Sequence, residues 1–254
     1  MTQPLKVGFL GTGHIAAPMA RLIARQGHTV TVSERSQETS SALAAAGLGI
    51  AVANNPSVLE ACDVVFLCLR PGVWADVAAP LHWRANHRII SVMAGVSLAQ
   101  IMQVCAPVTH VSATLPLEFL ETGGCPLPVA GPDEPLRTLL GTINPIIPLD
   151  DEAHLQSYFA ASALMSGVLG VMQSGAEWLG EATNNKGAGE VYVANLISGY
   201  LGALVKDEAG ELEAHKNALA SPNTLNRQMV EGLAEAGTFK ALPEILGKIK
   251  ASMT

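Results

Sequence analysis
An apolar run, Leu5 to Leu10, passes directly into Gly11-Thr-Gly13-His-Ile-Ala16 and then into a stretch with helical apolar spacing, Ile15 to Ala24. Few folds accommodate that order. A buried strand must turn sharply into a helix, and each small residue has a separate task. Gly11 permits the tight turn, Gly13 lets backbone approach a bound group without a Cβ in the way, and Ala16 lets the helix lie close on the sheet. The helix then aims its free N–H groups and positive dipole end at a pyrophosphate over the turn. Gly27-His28 closes the helix before a second strand, Thr29 to Ser33, and Glu34 follows where a carboxylate accepts from a ribose hydroxyl. Together these elements predict a dinucleotide site with Gly11, Thr12, Gly13, His14 and Ile15 at the phosphates. His14 acts there through its backbone more than its ring.

The segment Ser33-Glu34-Arg35-Ser36 carries two signals about the adenosine ribose. Glu34 suits the free hydroxyls of NAD. Arg35 and Ser36 supply a guanidinium and a hydroxyl to the 2′-phosphate of NADP, which a neighbouring carboxylate would repel. The balance leans to NADP, with NAD as the alternative.

From residue 5 to about 150, short apolar strands alternate with helical segments, the pattern of an α/β parallel sheet wrapped on both faces. The later strands are expected at Ile50-Ala-Val52, Val64 to Leu67, Arg88 to Val92, Val108 to Val111 and Pro126 to Val129, with helices starting near Asn55-Pro56, Gly72, Ser97 and Asp133. After Asp150-Asp151 the texture changes. Ala/Leu/Gly-rich helices follow, broken at Asn184 to Gly187, Asp207 to Gly210 and Ser221-Pro222-Asn223. The domains expected are therefore a Rossmann-type unit, 1–150, and an all-helical unit, 151–254. Tyr158 to Met172 is interrupted by serines and glycines and reads as a buried helix rather than a membrane span. Its small residues would admit another helix closely, inside the subunit or across an oligomer interface.

Ligands bind beyond the carboxyl ends of the strands of such a sheet. Leu69-Arg70-Pro71, after the fourth strand, is expected to press backbone against the cofactor, and Ala94-Gly95, after the fifth, to leave room for a nicotinamide ring. Other chemistries find little support. The seven histidines show no zinc-ligand spacing and no GxSxG elbow is present, so neither a metal site nor an α/β-hydrolase is expected. Net charge −7 with no basic run argues against nucleic acid and for a small-molecule substrate. The four cysteines form no CxxC pair. With no signal-peptide pattern ahead of the first strand, they read as reduced thiols in a cytoplasmic protein.

Taken together, Val7 to Ala16, Leu69-Arg-Pro71, Ile90-Ser-Val-Met-Ala-Gly-Val-Ser97, Leu115-Pro116 and Ser221-Pro-Asn-Thr-Leu-Asn226 resemble the motifs of pyrroline-5-carboxylate reductases. The resemblance implies a Rossmann domain followed by a helical domain that builds an intertwined homodimer, with the active site shared between subunits. It also implies hydride transfer from a nicotinamide to a cyclic imine, with Asn223, Thr224 and Asn226 at the substrate. The departures fall at that end. Leu117 stands where the family has Asn, and Asn223-Thr224 where it has a glycine pair. Asn226 takes the place of the Thr near the imine nitrogen. The competing readings are a β-hydroxyacid dehydrogenase or imine reductase, and a non-catalytic nicotinamide-binding module. The dehydrogenases normally carry a Lys on the long helix after the Rossmann domain, and residues 153–183 contain none.

Overall fold
A computed structural model describes residues 3–204 and 210–253. The expected break from Asp207 lies outside the described residues as far as Ala209. The rest forms two compact units, one reaching to Phe159 and joined by Met253, the other Ala160–Ser252.

The first unit is an eight-stranded sheet: β1 Lys6–Leu10, β2 Thr29–Ser33, β3 Ala51–Ala53, β4 Val64–Leu67, β5 Arg88–Ser91, β6 His110–Thr114, β7 Leu127–Ala130 and β8 Ile146–Leu149. Their order is β3-β2-β1-β4-β5-β6-β7-β8. The first six run parallel, but β7 pairs antiparallel with β6, and β8 pairs parallel with β7. The parallel Rossmann-type sheet expected from the strand–helix alternation is present, with its last two strands reversed at the far edge. β8 was not among the expected strands; Pro145 precedes it and Pro148 lies within it. An edge strand tolerates proline, since one row of its N–H groups has no ladder partner to lose.

Helices α1 (Ala16–Arg25), α2 (Gln37–Ala45), α3 (Asn55–Ala61), α4 (Trp74–Ala78), α5 (Leu98–Val104) and α6 (Glu134–Leu140) connect the strands. They explain why β4 is a continuous apolar run with every residue buried: each face of the sheet has its own core. On one face Val7, Phe9, Phe66 and Ile90 pack with Met19, Ile23 and Leu139. Phe9 and Phe66 stack there with ring centroids 4.8 Å apart. On the other face Leu10, Val65 and Ile89 pack with Val58, Leu59 and Ile101. A Cβ at Gly8 would lie 2.7 Å from Val58 Cγ1, so a glycine in mid-strand is what lets α3 seat against the sheet.

Local signals set several helix starts. Ser97 and Gln100 form a complete capping box at α5, and Asn54, one residue before the expected start, caps α3 through Ser57 N–H at 3.0 Å. At α4 the start moves from Gly72 to Trp74, because the carbonyl of Arg70 takes the N–H groups of Val73 and Trp74 as a turn. His87 is buried: Nδ1 accepts the Arg84 N–H at 3.0 Å and Nε2 faces Leu59 O at 3.2 Å. Burial lowers its pKa, so it packs as a neutral ring.

The all-helical second unit begins in the course of α7 (Leu155–Ser162) and continues through α8 (Leu164–Ala182), α9 (Lys186–Gly202), α10 (Glu211–Leu219), α11 (Leu225–Glu235) and α12 (Thr238–Ala251). α8 and α9 form a hairpin closed by small residues. A Cβ on Gly189 would sit 2.5 Å from the Ala176 carbonyl oxygen, and one on Gly180 would sit 2.8 Å from Lys186 Cα. Gly167 and Gly170, expected to serve that purpose, have nothing within 4 Å. The expectation of a buried helix is corrected as well. Glu152–Ala182 is long and apolar enough to cross a membrane by length and composition, with mean hydropathy 1.3, and only 11% of that window is buried within the chain. Leu169, Val171 and Trp178 lie more than half exposed along α8.

Candidate active site
The turn after β1 is held from behind and open in front. Gly11 has φ +95°, and its N–H donates to Ser33 Oγ at 2.9 Å. A Cβ there would lie 2.4 Å from the carbonyl oxygen of Cys68, so this glycine is required by the fold itself. Thr12 is fully buried, and its hydroxyl donates to Ser33 O at 3.4 Å. Gly13 differs: a Cβ there would meet nothing within 4 Å. The Gly13 carbonyl accepts the Ala17 N–H at 3.1 Å to start α1, whose cap position, Ile15, offers no side-chain cap. The first N–H groups of α1 therefore face an open cradle. That arrangement fits a diphosphate, which takes N–H donors and the positive helix end and needs a surface free of Cβ atoms.

At the end of β2, sequence reasoning placed Ser33 on the cofactor. It is 1% exposed and accepts the Gly11 N–H, so it locks the phosphate turn instead of reaching outward. Glu34, Arg35 and Ser36 are exposed. Ser36 occupies the cap position of α2 without using its hydroxyl as the cap. Arg35 forms no ion pair among the described residues. A guanidinium and an uncommitted hydroxyl thus stand at the carboxyl end of β2, where a 2′-phosphate would lie. After β4, Leu69 is half-buried while Arg70 and Pro71 are exposed. After β5, Met93 N–H donates to Ser91 Oγ at 3.2 Å, which draws the chain into a turn at half-buried Ala94 and exposed Gly95, φ +73°. A cleft of about 360 Å³ opens beside it, lined by Met93, Gly95, Ser97, Gln100 and Glu152. Three of its polar residues are engaged within the loop: Ser97 and Gln100 cap α5, and Glu152 Oε1 accepts the Leu98 N–H at 2.7 Å. They hold the loop in place.

Sequence reasoning missed the clamp beside this rim. β6 leads through Leu115, Pro116 and Leu117 into a 3-10 turn, Glu118–Thr122, whose Glu121 takes Arg21 Nε at 3.0 Å to both oxygens, and Arg25 at 2.5 Å. The hydrogen bonds from Arg21 hold the Glu121 carboxyl below its ordinary pKa, and Arg21 is raised in turn. The only signal in the sequence was a pair of arginines one turn apart on α1. Through this clamp the turn is fixed to α1, and Glu118 comes to lie 3.7 Å from His14.

The second unit brings Asn223, Thr224 and Asn226 together at the start of α11. Asn223 adopts φ +65°, a left-handed conformation that Asn tolerates better than other side-chain-bearing residues, which explains how the segment turns without a glycine. Thr224 caps the helix: Oγ1 accepts the Arg227 N–H at 3.2 Å and donates to Ser221 O at 2.7 Å. Its hydroxyl is committed to shaping the turn. Arg227 Nε reaches Glu231 Oε1 at 2.7 Å. Tyr200 is partnered by His215 at 3.4 Å. Burial pushes the Cys62 thiol up to about 11 and Cys105 up to about 12, so neither is a nucleophile at neutral pH. No group of three His, Cys, Asp or Glu among the described residues could hold a metal ion.

Comparison with known proteins agrees with this geometry. Residues 6–95 match the family model described as NADP oxidoreductase coenzyme F420-dependent. Pyrroline-5-carboxylate reductase 3 of Rattus norvegicus is 30% identical over 124 residues, which cover 46% of this chain and 44% of the rat protein. The chain thus spans under half the length of that curated relative. Solved structures extend the likeness to the whole chain. The 1-pyrroline-5-carboxylate reductase of Streptococcus pyogenes superposes with TM-score 0.84 at 18% identity, covering 99% of both chains. The Plasmodium falciparum pyrroline carboxylate reductase, solved with NADP bound, gives 0.80 at 13% identity, covering 98% of this chain and 97% of that one. The fold is thus that of the solved pyrroline-5-carboxylate reductases from end to end, and residues 6–95 match in sequence the NADP oxidoreductase model.

Proposed function
We propose that this protein reduces a cyclic imine at the expense of NADPH, the reaction of pyrroline-5-carboxylate to proline being the first to test. The observation that carries the reading is the open cradle at Gly13, backed by a turn that Ser33 locks and faced by the uncapped start of α1. In such a reaction the reduced nicotinamide supplies a hydride to the imine carbon, and the nitrogen, protonated from solution, takes the π electron pair to give a secondary amine. The protein has little covalent work to do. Its N–H groups at Gly13 to Ala16 hold the diphosphate, Arg35 and Ser36 hold the 2′-phosphate, and Ala94-Gly95 leave space for the ring. Asn226 donates to the imine nitrogen or to a water beside it.

Asn226→Ala is expected to lower kcat/KM by roughly tenfold, about 1.4 kcal/mol of transition-state stabilisation, with NADPH affinity unchanged. Wild-type kinetics in that variant would remove the side chain from the mechanism. The experiment for the function itself is NADPH and NADH oxidation by the purified protein against pyrroline-5-carboxylate, related cyclic imines and 2-oxo acids. Cofactor binding without turnover on any of them would favour a non-catalytic binding module.

The same reading includes a homodimer. α8 and α9 present Leu169, Val171, Trp178, Val191 and Tyr192 more than half exposed, far more apolar surface than an isolated subunit leaves in water without function. Sedimentation should give at least a dimer, and a monomer at micromolar concentration would contradict the shared site. Free, largely buried thiols fit a reducing compartment such as the cytoplasm.

A further inference from the structure
We infer that Glu118 is an acidic gate on the phosphate cradle, a carboxylate whose charge opposes the dinucleotide and so sets how fast and how tightly it binds. The inference rests on the dinucleotide reading above, and every residue it uses belongs to the first unit. The 3-10 turn that carries Glu118 is held at three points. Leu120 is fully buried, its carbonyl accepts from Asn144 Nδ2 at 3.1 Å, and Glu121 accepts from Arg21 Nη2 at 2.6 Å and from Arg25. The turn is thereby tied to α1, whose first N–H groups face the cradle. Glu118, at the head of the turn, takes no part in that anchoring, and its side chain is 74% exposed. Its carboxylate lies 3.7 Å from Nε2 of His14, too far for a hydrogen bond, and His14 directly follows Gly13. His14 is also the only basic side chain between Gly11 and Ala16.

An exposed pair at that distance contributes little to stability, and the Glu121 clamp already fixes the turn. The charge of Glu118 matters instead to whatever the loop binds. The loop is open at Gly13, one residue from the side chain that Glu118 touches, and it suits an anion. Like charges several ångströms apart repel, and an incoming diphosphate also meets a His14 ring that already has a carboxylate beside it. Each turnover requires reduced dinucleotide to enter and oxidised dinucleotide to leave by way of this loop. A carboxylate that loosens the hold there shortens the stay of the spent cofactor.

The test is equilibrium and stopped-flow titration of the full-length protein and its Glu118→Gln and Glu118→Lys variants with NADPH and with NADH. At low salt, Glu118→Gln should lower the Kd of NADPH by roughly three- to tenfold, and Glu118→Lys should lower it further. Most of the gain should appear as faster association, and it should shrink as salt rises from about 20 to about 500 mM. NADH, which carries the same diphosphate, should gain by the same factor. A gain confined to NADPH would place the charge at the 2′-phosphate and overturn the inference. So would unchanged or weaker NADPH binding in Glu118→Gln and Glu118→Lys while the wild-type protein binds NADPH, and the dinucleotide reading would then stand. Absence of NADPH and NADH binding in the wild-type protein and in both variants overturns that reading and the inference with it.

Discussion

Gly13→Val is expected to fold normally and to lose the dinucleotide. The two glycines of the turn after β1 have the same sequence signature but opposite physical roles. At Gly13 an added Cβ meets no protein atom within 4 Å, so the isopropyl group costs the apo-protein little, within about 1 kcal/mol. It projects instead into the space that a diphosphate must enter to reach the first N–H groups of α1. Losing two or more charge-assisted hydrogen bonds removes about 3 kcal/mol or more, over a hundredfold in Kd. At Gly11 the reverse holds. The backbone has φ +95° and a Cβ would collide with the Cys68 carbonyl, so Gly11→Ala should lower the melting temperature before any ligand is considered. Thermal melts and NADPH titration of both variants separate the two. Retention of wild-type affinity by folded Gly13→Val would remove the dinucleotide from this turn.

Arg35→Ala should weaken NADPH far more than NADH. Arg35 is exposed, lies two residues past the end of β2, and has no carboxylate partner among the described residues to compete with a 2′-phosphate. One charge-assisted contact contributes about 1.5–3 kcal/mol, and the exposure of Arg35 sets the expectation toward the lower figure at physiological salt. The selectivity should therefore shrink as ionic strength rises. Ser36→Ala should lower NADPH affinity by a smaller amount in the same direction. Equal losses of NADPH and NADH in Arg35→Ala would show that the phosphate is held elsewhere or that NAD is the cofactor. Glu34 would then be the residue that matters, through the ribose hydroxyls.

What could be read from the sequence follows from the range of the forces involved. β2 and β4 appear at their expected bounds, and the capping box at Ser97 is complete, because each is specified by a handful of adjacent residues. The strand reversal at β7 is a different matter. No residue within Leu127–Ala130 encodes which way the strand lies beside β6; that is set by the chain's return through the clamped 3-10 turn. The role of Ser33 was misread for a similar reason. Its position at the end of β2 suggested the cofactor, whereas its rotamer answers to Gly11 N–H, 22 residues earlier in the chain. The Glu121 clamp joins partners 96 and 100 residues apart, beyond any local pattern. In the second unit, apolar content was legible, but whether an apolar helix is covered by its own chain depends on neighbours that the sequence does not list in order. For α8 only Ala176 and Gly180 are buried.

The reversal of β7 and β8 also works as a ruler. Only six strands send their carboxyl ends to one rim of the sheet, and that rim stops at β6, where the direction of the chain flips. Along it, β2 and β5 are separated by three interstrand steps of about 4.8 Å each, or roughly 14 Å. That is the span from the ribose end proposed at Arg35 to the ring end proposed at Ala94. A dinucleotide held as proposed above would extend across those strands, and its reactive end would come to rest one strand short of the place where the rim runs out. A longer ligand would find no further strand ends to continue along.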